Sequence, residues 1–171
     1  MDTIMDEGLM AQARKIRCVV FDIDGVMTDG MLYLGPNGEE TKAVSVRDGL
    51  GIKQLVDAGI HVAVISGRPS EAMRQRLQHL GVQHIHLNID QKLPTFEALQ
   101  AELGLSDEQC AMMGDDTPDL PLLRRCGLAL TVADAHPQAA AAAHWQSQFV
   151  GGAGAVREAS DLILDAQGKL P

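Results

Sequence analysis

Three aspartates crowd the end of an apolar run in VVFDIDGVMTD, residues 19–29: Asp22, Asp24 and Asp29. Carboxylates at the end of a buried strand lose solvation and repel one another, so a bound cation is the usual compensation. Three further segments carry groups that fit this idea. Ser66-Gly67-Arg68 supplies a hydroxyl and a guanidinium, Lys92 an ammonium, and GDDTPDL, residues 114–120, the carboxylates of Asp115, Asp116 and Asp119. Carboxylates facing a phosphate suit Mg²⁺, a hard cation that takes oxygen ligands. His and Cys are absent from these segments, which disfavours zinc. With Mg²⁺ and Lys92 on a phosphate and Ser66 donating to its oxygens, the charge developing in phosphoryl transfer is neutralised on several sides. A carboxylate can then attack phosphorus and form an aspartyl-phosphate. Taken alone, Asp-x-Asp-Gly is as readily a surface turn. GDDTPDL alone is as readily a helix start in which Asp116 caps.

For these segments to meet, strands must bring them to one edge of a sheet. Short apolar runs recur as CVVFDI, HVAVISG, HIHLN, CAMMGD and LALTV, with segments of helical spacing between most of them. Gly59 follows IKQLVDA, Pro69 opens PSEAMRQRLQHL, Gly81 closes it, SDEQ at 106–109 has capping-box spacing, and the alanine run 139–143 favours a helix. The expected fold is α/β, a Rossmann-like parallel sheet with helices on both faces. Ligands of such a sheet bind beyond the C-terminal strand ends, where all four segments fall. MLYLGPNGEETKAVSV breaks the rhythm: two strand-like arms flank Pro36-Asn37-Gly38, which predicts a β-hairpin cap at about 30–46 beside the aspartate loop. One domain over 1–171 is expected.

Composition narrows the partners. In 171 residues, 46% of them hydrophobic, 14 basic against 23 acidic side chains give a net charge of −9, which argues against nucleic acid or an anionic membrane as partner. No apolar run approaches the roughly 18 residues of a spanning helix, and the N-terminus does not read as a signal segment; a cytoplasmic protein is expected. Cys18, Cys110 and Cys126 are odd in number and widely spaced, and read as buried thiols. His84 and His86 would share a strand face but lack a third ligand, so they are not assigned a metal.

DIDGVMTD, ISGR, Lys92 and GDDTPD, in this order and strand context, resemble the four motifs of the haloacid dehalogenase superfamily of phosphatases, of the type with a minimal β-hairpin cap. VRDGLGI, VADAHP and GGAGAVREASDLILDAQGK narrow the resemblance to the branch that dephosphorylates an eight-carbon sugar acid used in lipopolysaccharide assembly. The resemblance implies that Asp22 is the nucleophile. It makes Asp24 the acid that protonates the leaving oxygen and then the base that activates water. It implies Mg²⁺ held by Asp22, the Asp24 backbone carbonyl and Asp115, with Asp116 supporting the metal's waters and Asp119 orienting Lys92. Substrate contacts map onto Ser45, Val46, Arg47, Asp48, Gly49, Lys53, Arg68 and Arg76 besides Asp24 and Lys92. Arg68 can grip a planar carboxylate bidentately; in relatives acting on the nine-carbon deaminated neuraminic acid 9-phosphate a glutamate is expected there.

The resemblance further implies a homotetramer centred on the hairpin, and a C-terminal segment, led by Gly151, Gly152 and Gly154, that moves over a site. Met27 stands in place of the more usual leucine, Ser66 is one of two interchangeable hydroxyl residues, and Gln148 stands where relatives often carry a basic residue. A phospho-accepting receiver domain of signalling proteins shares many of these parts. It would place the phosphorylated aspartate after its third strand, where this chain has Lys92.

Overall fold

The computed structural model describes residues 6–171. Its centre is β1 (Cys18–Phe21), four buried residues whose alternate side chains serve two separate cores. Around it the sheet runs β5 (His84–His86), β4 (His61–Ile65), β1, β6 (Cys110–Met113), β7 (Leu128–Thr131) and β8 (Trp145–Gln146), every pair parallel. Val19 and Phe21 face α1 (Glu7–Lys15), α2 (Val46–Asp57), α3 (Glu71–His79) and α7 (Ala155–Ala166); Cys18 and Val20 face α4 (Lys92–Leu103), α5 (Leu120–Leu123) and α6 (Pro137–Ala142). Burial on both faces explains why the strands read as continuous apolar runs rather than alternating ones.

The chain builds outward from β1 through β4 to β5, then crosses to β6 on the other side. The order therefore reverses between β1 and β6, and the crevice at such a switch point is where an open α/β sheet binds ligands. The backbone continues the pairing one step past the strands, with Asp22 N donating to Met113 O at 3.1 Å. This places Asp22 and the segment after Met113 side by side at the crevice.

The hairpin forms, but as β2 (Tyr33–Leu34) and β3 (Glu40–Thr41) only. Gly35 N donates to Glu39 O at 2.8 Å and Gly38 takes φ 84°, the left-handed geometry glycine tolerates in tight turns. Among the described residues the arms have no ladder partners beyond these two-residue strands, and Met31, Tyr33 and Leu34 are exposed.

Some boundaries differ from the sequence reading. α3 is capped by Ser70, whose hydroxyl accepts from Met73 N, so Pro69 stands just outside the helix. The Ser106–Gln109 capping box closes a single 3₁₀ turn before β6 rather than a longer helix. β8 and α1 had no clear signal: one is two residues long, and the other is a short helix started by the Asp6 side chain accepting from Gly8 N. His84 and His86 lie half-buried in edge strand β5, and among the described residues neither joins a metal-ligand group. All three cysteines are buried and free. Among the described residues no helix is long and apolar enough to cross a membrane.

Candidate active site

Lys92 is the hub of the crevice. As the first residue of α4 it is buried, and its Nζ lies 2.7 Å from Asp119 Oδ1 and 3.1 Å from Asp22 Oδ1. Lysine is almost never buried unless paired, and here two carboxylates share it. Asp119 is wholly engaged. Its second oxygen accepts from Asp115 N at 2.9 Å and Asp116 N at 3.3 Å, so it pins the GDDTPD loop to the lysine. Asp116 performs the capping role, accepting from Thr117 N at 2.7 Å at the start of a 3₁₀ turn over 117–119.

The loop after β1 sorts its three aspartates. Asp22 Oδ1 accepts from Ile23 N at 2.8 Å and faces the crevice. Asp24 lines the same cleft. Asp29 instead accepts from Met31 N and serves as an exposed turn residue. Buried Thr28 closes the loop, its hydroxyl accepting from Gly25 N and Gly30 N. Gly25 is required twice over, for its φ of 87° and because a Cβ there would lie 2.0 Å from Asp115 Oδ2.

Asp22, Asp115 and Asp119 each place a carboxylate oxygen within 4.8 Å of the others. Burial, with the charge of Asp119 added, pushes Asp22 up to about 6 despite Lys92. Burial and the charges of Asp22, Asp119 and Asp116 push Asp115 up to about 8. Burial opposes the charge on Lys92, but Asp22 and Asp119 outweigh it and hold its ammonium above the usual range. One lysine thus leaves negative charge uncompensated, and that charge is carried by oxygen donors alone. Asp119 is spoken for, so Asp22 and Asp115 are the side chains with capacity left for a hard divalent cation, and the residues present fit Mg²⁺.

Ser66, Gly67 and Arg68 line the other wall of the cleft with Ile89 and Asp90. Ser66 is buried, and its amide donates to His86 O. Arg68 pairs with Glu40 of the hairpin at 2.5 Å. Lys42, just past β3, puts its Nζ 2.8 Å from Asp24 Oδ1. Sequence reasoning missed Lys42 because a lone lysine in an acidic, turn-flanked arm reads as a solvated residue; only the docked hairpin brings it to the aspartate.

The remaining candidate substrate contacts do not reach this cleft within one chain. Ser45 caps α2, accepting from Asp48 N. The Asp48 carboxylate is buried and accepts from Arg157 N at 2.9 Å, so it is committed to the start of α7. Gly49 and Arg76 line a separate small pocket with Met27 and Leu80. Lys53 pairs with Asp57 on the surface, and Val46 and Arg47 are exposed. Gln148 lies in another groove, with Trp145 and Glu158.

The glycine lead of the C-terminal segment is also placed differently. It packs against the back of the aspartate loop: Gly152 N donates to Val26 O at 3.0 Å, and a Cβ on Gly151 would lie 1.9 Å from Gly25 O. These glycines allow two backbones to touch. VADAHP completes the buttress, with Asp134 accepting from Gly151 N and His136 N donating to Asp115 O. As expected, α7 packs through Val156, Leu162 and Ile163.

The motif set and the fold define a class of hydrolase, and comparison with known proteins agrees: residues 85–157 match the family of haloacid dehalogenase-like hydrolases. The chain is 44% identical to the 3-deoxy-D-manno-octulosonate 8-phosphate phosphatase of Escherichia coli strain B / BL21-DE3 over 162 residues, 95% of this chain and 86% of that protein. The crystal structure of the Yersinia pestis phosphatase of the same name superposes with a TM-score of 0.94 at 44% identity, covering 96% of this chain and 89% of that one. The Moraxella catarrhalis phosphatase, solved with magnesium ion, phosphate ion and a KDO molecule, gives a TM-score of 0.94 at 38% identity, over 97% and 95% of the two chains. The chain belongs to the 3-deoxy-D-manno-octulosonate 8-phosphate phosphatase family of haloacid dehalogenase-like hydrolases.

Proposed function

We propose that this protein is a Mg²⁺-dependent phosphoric monoester hydrolase that converts 3-deoxy-D-manno-octulosonate 8-phosphate to the free sugar acid and phosphate, in lipopolysaccharide precursor synthesis. The observation that carries the reading is the Asp22, Lys92, Asp119 and Asp115 constellation at the switch point, in a chain alike over almost its whole length to the magnesium-, phosphate- and KDO-bound relative.

In this reading Asp22 is the nucleophile, and an aspartyl-phosphate forms on it. Lys92 and Ser66 hold the phosphate oxygens, while Asp119 keeps Lys92 in place. Asp24 protonates the leaving sugar oxygen and then, as a carboxylate, takes a proton from the attacking water; one group serves both half-reactions. Mg²⁺ at Asp22, Asp115 and the Asp24 backbone carbonyl would supply charge neutralisation, with Asp116 beside its waters. Arg68 would exchange Glu40 for the sugar acid's carboxylate, a bidentate pairing that favours an acid over a neutral sugar.

Self-association as a homotetramer belongs to the same reading. Leu34 and Val46 are 71% and 78% exposed, and with Met31, Tyr33, Val44 and Leu50 they form an apolar strip along the hairpin and the start of α2, the kind of surface that marks an interface. Arg47 and Lys53 flank that strip on α2, so their role as substrate contacts requires a neighbouring copy. Asp48, Gly49 and Arg76 would then act by shaping the start of α2. The substrate is an anionic sugar phosphate that does not cross a bilayer unaided, so enzyme and substrate share a compartment, taken to be the cytoplasm; the net charge of −9 supports no role for nucleic acid.

A phosphate-release panel tests this: the eight-carbon acid 8-phosphate, the nine-carbon acid 9-phosphate and hexose phosphates, with and without Mg²⁺. Mg²⁺-dependent turnover is expected to be fastest on the eight-carbon acid. Equal turnover of hexose phosphates would overturn the substrate assignment.

A further inference from the structure

The cleft wall that carries Ser66 and Arg68 ends in an unengaged carboxylate. Asp90 is exposed and lines the cleft beside Ile89 and Lys92. Its backbone is fixed on both sides. Ser66 N donates to His86 O at 2.9 Å and Ile89 N to Ser66 O at 3.0 Å, which carries the β4–β5 pairing past the strands. On the other side Lys92 is locked by Asp22 and Asp119. A carboxylate just before a helix is commonly a cap, but α4 has Gln91 at its N-cap position and no side-chain capping bond there. Among the described residues the Asp90 carboxylate accepts no hydrogen bond and pairs with no cation; Arg68, on the same wall, pairs with Glu40 instead. Asp90 thus offers the cleft an acceptor that the fold itself does not use.

We propose that Asp90 is a specificity-determining residue, a hydroxyl acceptor that favours polyhydroxylated acids and weakens the binding of phosphate esters without hydroxyls. This rests on the proposed function and names how its substrate is told from other anions. A molecule with a phosphate at one end and a carboxylate at the other is repelled by a further carboxylate on the wall, at a cost that water in the open cleft reduces without removing. The cost is offset only where the substrate brings O–H donors. A carboxylate ion accepts and never donates, and its hydrogen bonds from hydroxyls are of the strong, charge-assisted kind. The sugar acid carries hydroxyls along the chain between its carboxylate and its phosphate-bearing carbon. Lys92 and Arg68 answer the two anionic ends, and would do so equally for a plain alkyl chain of that length. Asp90 separates the two, because one carboxylate attracts the hydroxylated chain and repels the bare one; discrimination of this kind needs the repulsive element as well as the attractive one.

Two ligands of equal length test this in the full chain with Mg²⁺: 3-deoxy-D-manno-octulosonate 8-phosphate, and the phosphate monoester of 8-hydroxyoctanoate, which keeps both anionic ends and has no hydroxyls. KM is measured for the first, and for the second its Ki as a competitor of the first. Asp90→Ala is expected to raise KM for the sugar acid about tenfold, as for a lost charged hydrogen bond, with kcat changed less than about threefold. The same substitution is expected to lower Ki for the hydroxyl-free ester about two- to fivefold, the scale of an exposed charge pair, and added salt shrinks this gain. Asp90→Asn gives the same gain on the ester with a smaller loss on the sugar acid, because it removes the charge and keeps one acceptor oxygen. If the wild type does not hydrolyse the sugar-acid phosphate, the proposed function fails and this proposal with it. If the wild type does, but the substitutions shift both constants in one direction or shift neither, the Asp90 role alone is overturned. Parallel losses that track a lowered melting temperature count as such a result, since they show that Asp90 only serves the start of α4.

Discussion

The two sides of the active cleft are built in opposite ways. Toward the sheet, Asp22, Lys92, Asp119 and the 114–119 loop are held by buried hydrogen bonds between segments that begin at strand ends. Toward solvent, a hairpin with two-residue strands is tied down by two ion pairs, Lys42 to Asp24 and Arg68 to Glu40. The difference teaches where rigidity is needed. The group attacking phosphorus must be placed to a fraction of an ångström, and the core enforces that, while the groups that select and release a substrate sit on an element that few contacts restrain.

Removing the nucleophile breaks the rigid side at its reacting atom. Asp22→Asn should lower kcat on the order of 10⁴-fold or more, the scale seen when a nucleophile is removed, and abolish trapped phosphoprotein while leaving the circular dichroism spectrum unchanged. Phosphoprotein persisting on another residue would sink the assignment.

Lys92→Met tests whether that side is truly a buried network. Asp22 and Asp119 would face each other without a cation, so unfolding in denaturant should show a loss of about 3–5 kcal/mol, typical for breaking a buried pair, together with lost activity. Lys42→Met, on the cap side, breaks a single pair whose carboxylate is 22% exposed, and should cost less stability than Lys92→Met.

The buttress behind the aspartate loop is the next test. Gly151→Ala forces a Cβ toward Gly25 O, so stability and activity should fall together, by about 1–3 kcal/mol as for other overpacked sites. A loss of kcat with stability intact would instead support a segment that moves over a site.

The excess negative charge predicts a metal-sensitive pH profile. Asp22 at about 6 and Asp115 at about 8 bind protons more tightly in the folded chain than in the unfolded one, where aspartate titrates near pH ~4. Their protonation therefore favours the fold at low pH. Between about pH 4 and 8 that advantage is lost, and metal-free protein becomes less stable as pH rises. Saturating Mg²⁺ should flatten this decline, as followed by thermal melts; a decline of equal slope with and without Mg²⁺ would remove the cation from Asp22 and Asp115.

The cap side gives the smallest effects. Arg68→Ala should raise KM for the sugar acid about tenfold, as for a lost charged hydrogen bond, and change KM for a small phosphate ester little. Glu40→Gln should act oppositely, lowering KM for the acid by up to about fivefold, since an exposed ion pair is worth up to about 1 kcal/mol. An equal Arg68 effect on both substrates would place this side chain on the phosphate or in the fold.

The sequence by itself determined the parallel sheet, its five longer strands and the gathering of Asp22, Ser66, Lys92, Asp115 and Asp119, because apolar runs buried on both faces announce their strands and a parallel sheet sends its strand-end loops to one edge. It also carried the family, through motifs whose residues act locally. Only the tertiary structure decided which aspartate is free and which is engaged: Asp29 in a turn, Asp116 on a cap, Asp48 on the start of α7. It alone brought Lys42 to Asp24 and set Gly151 against Gly25. A lysine or a glycine has no pattern of its own, and its role depends on what arrives from distant parts of the chain when the layers pack.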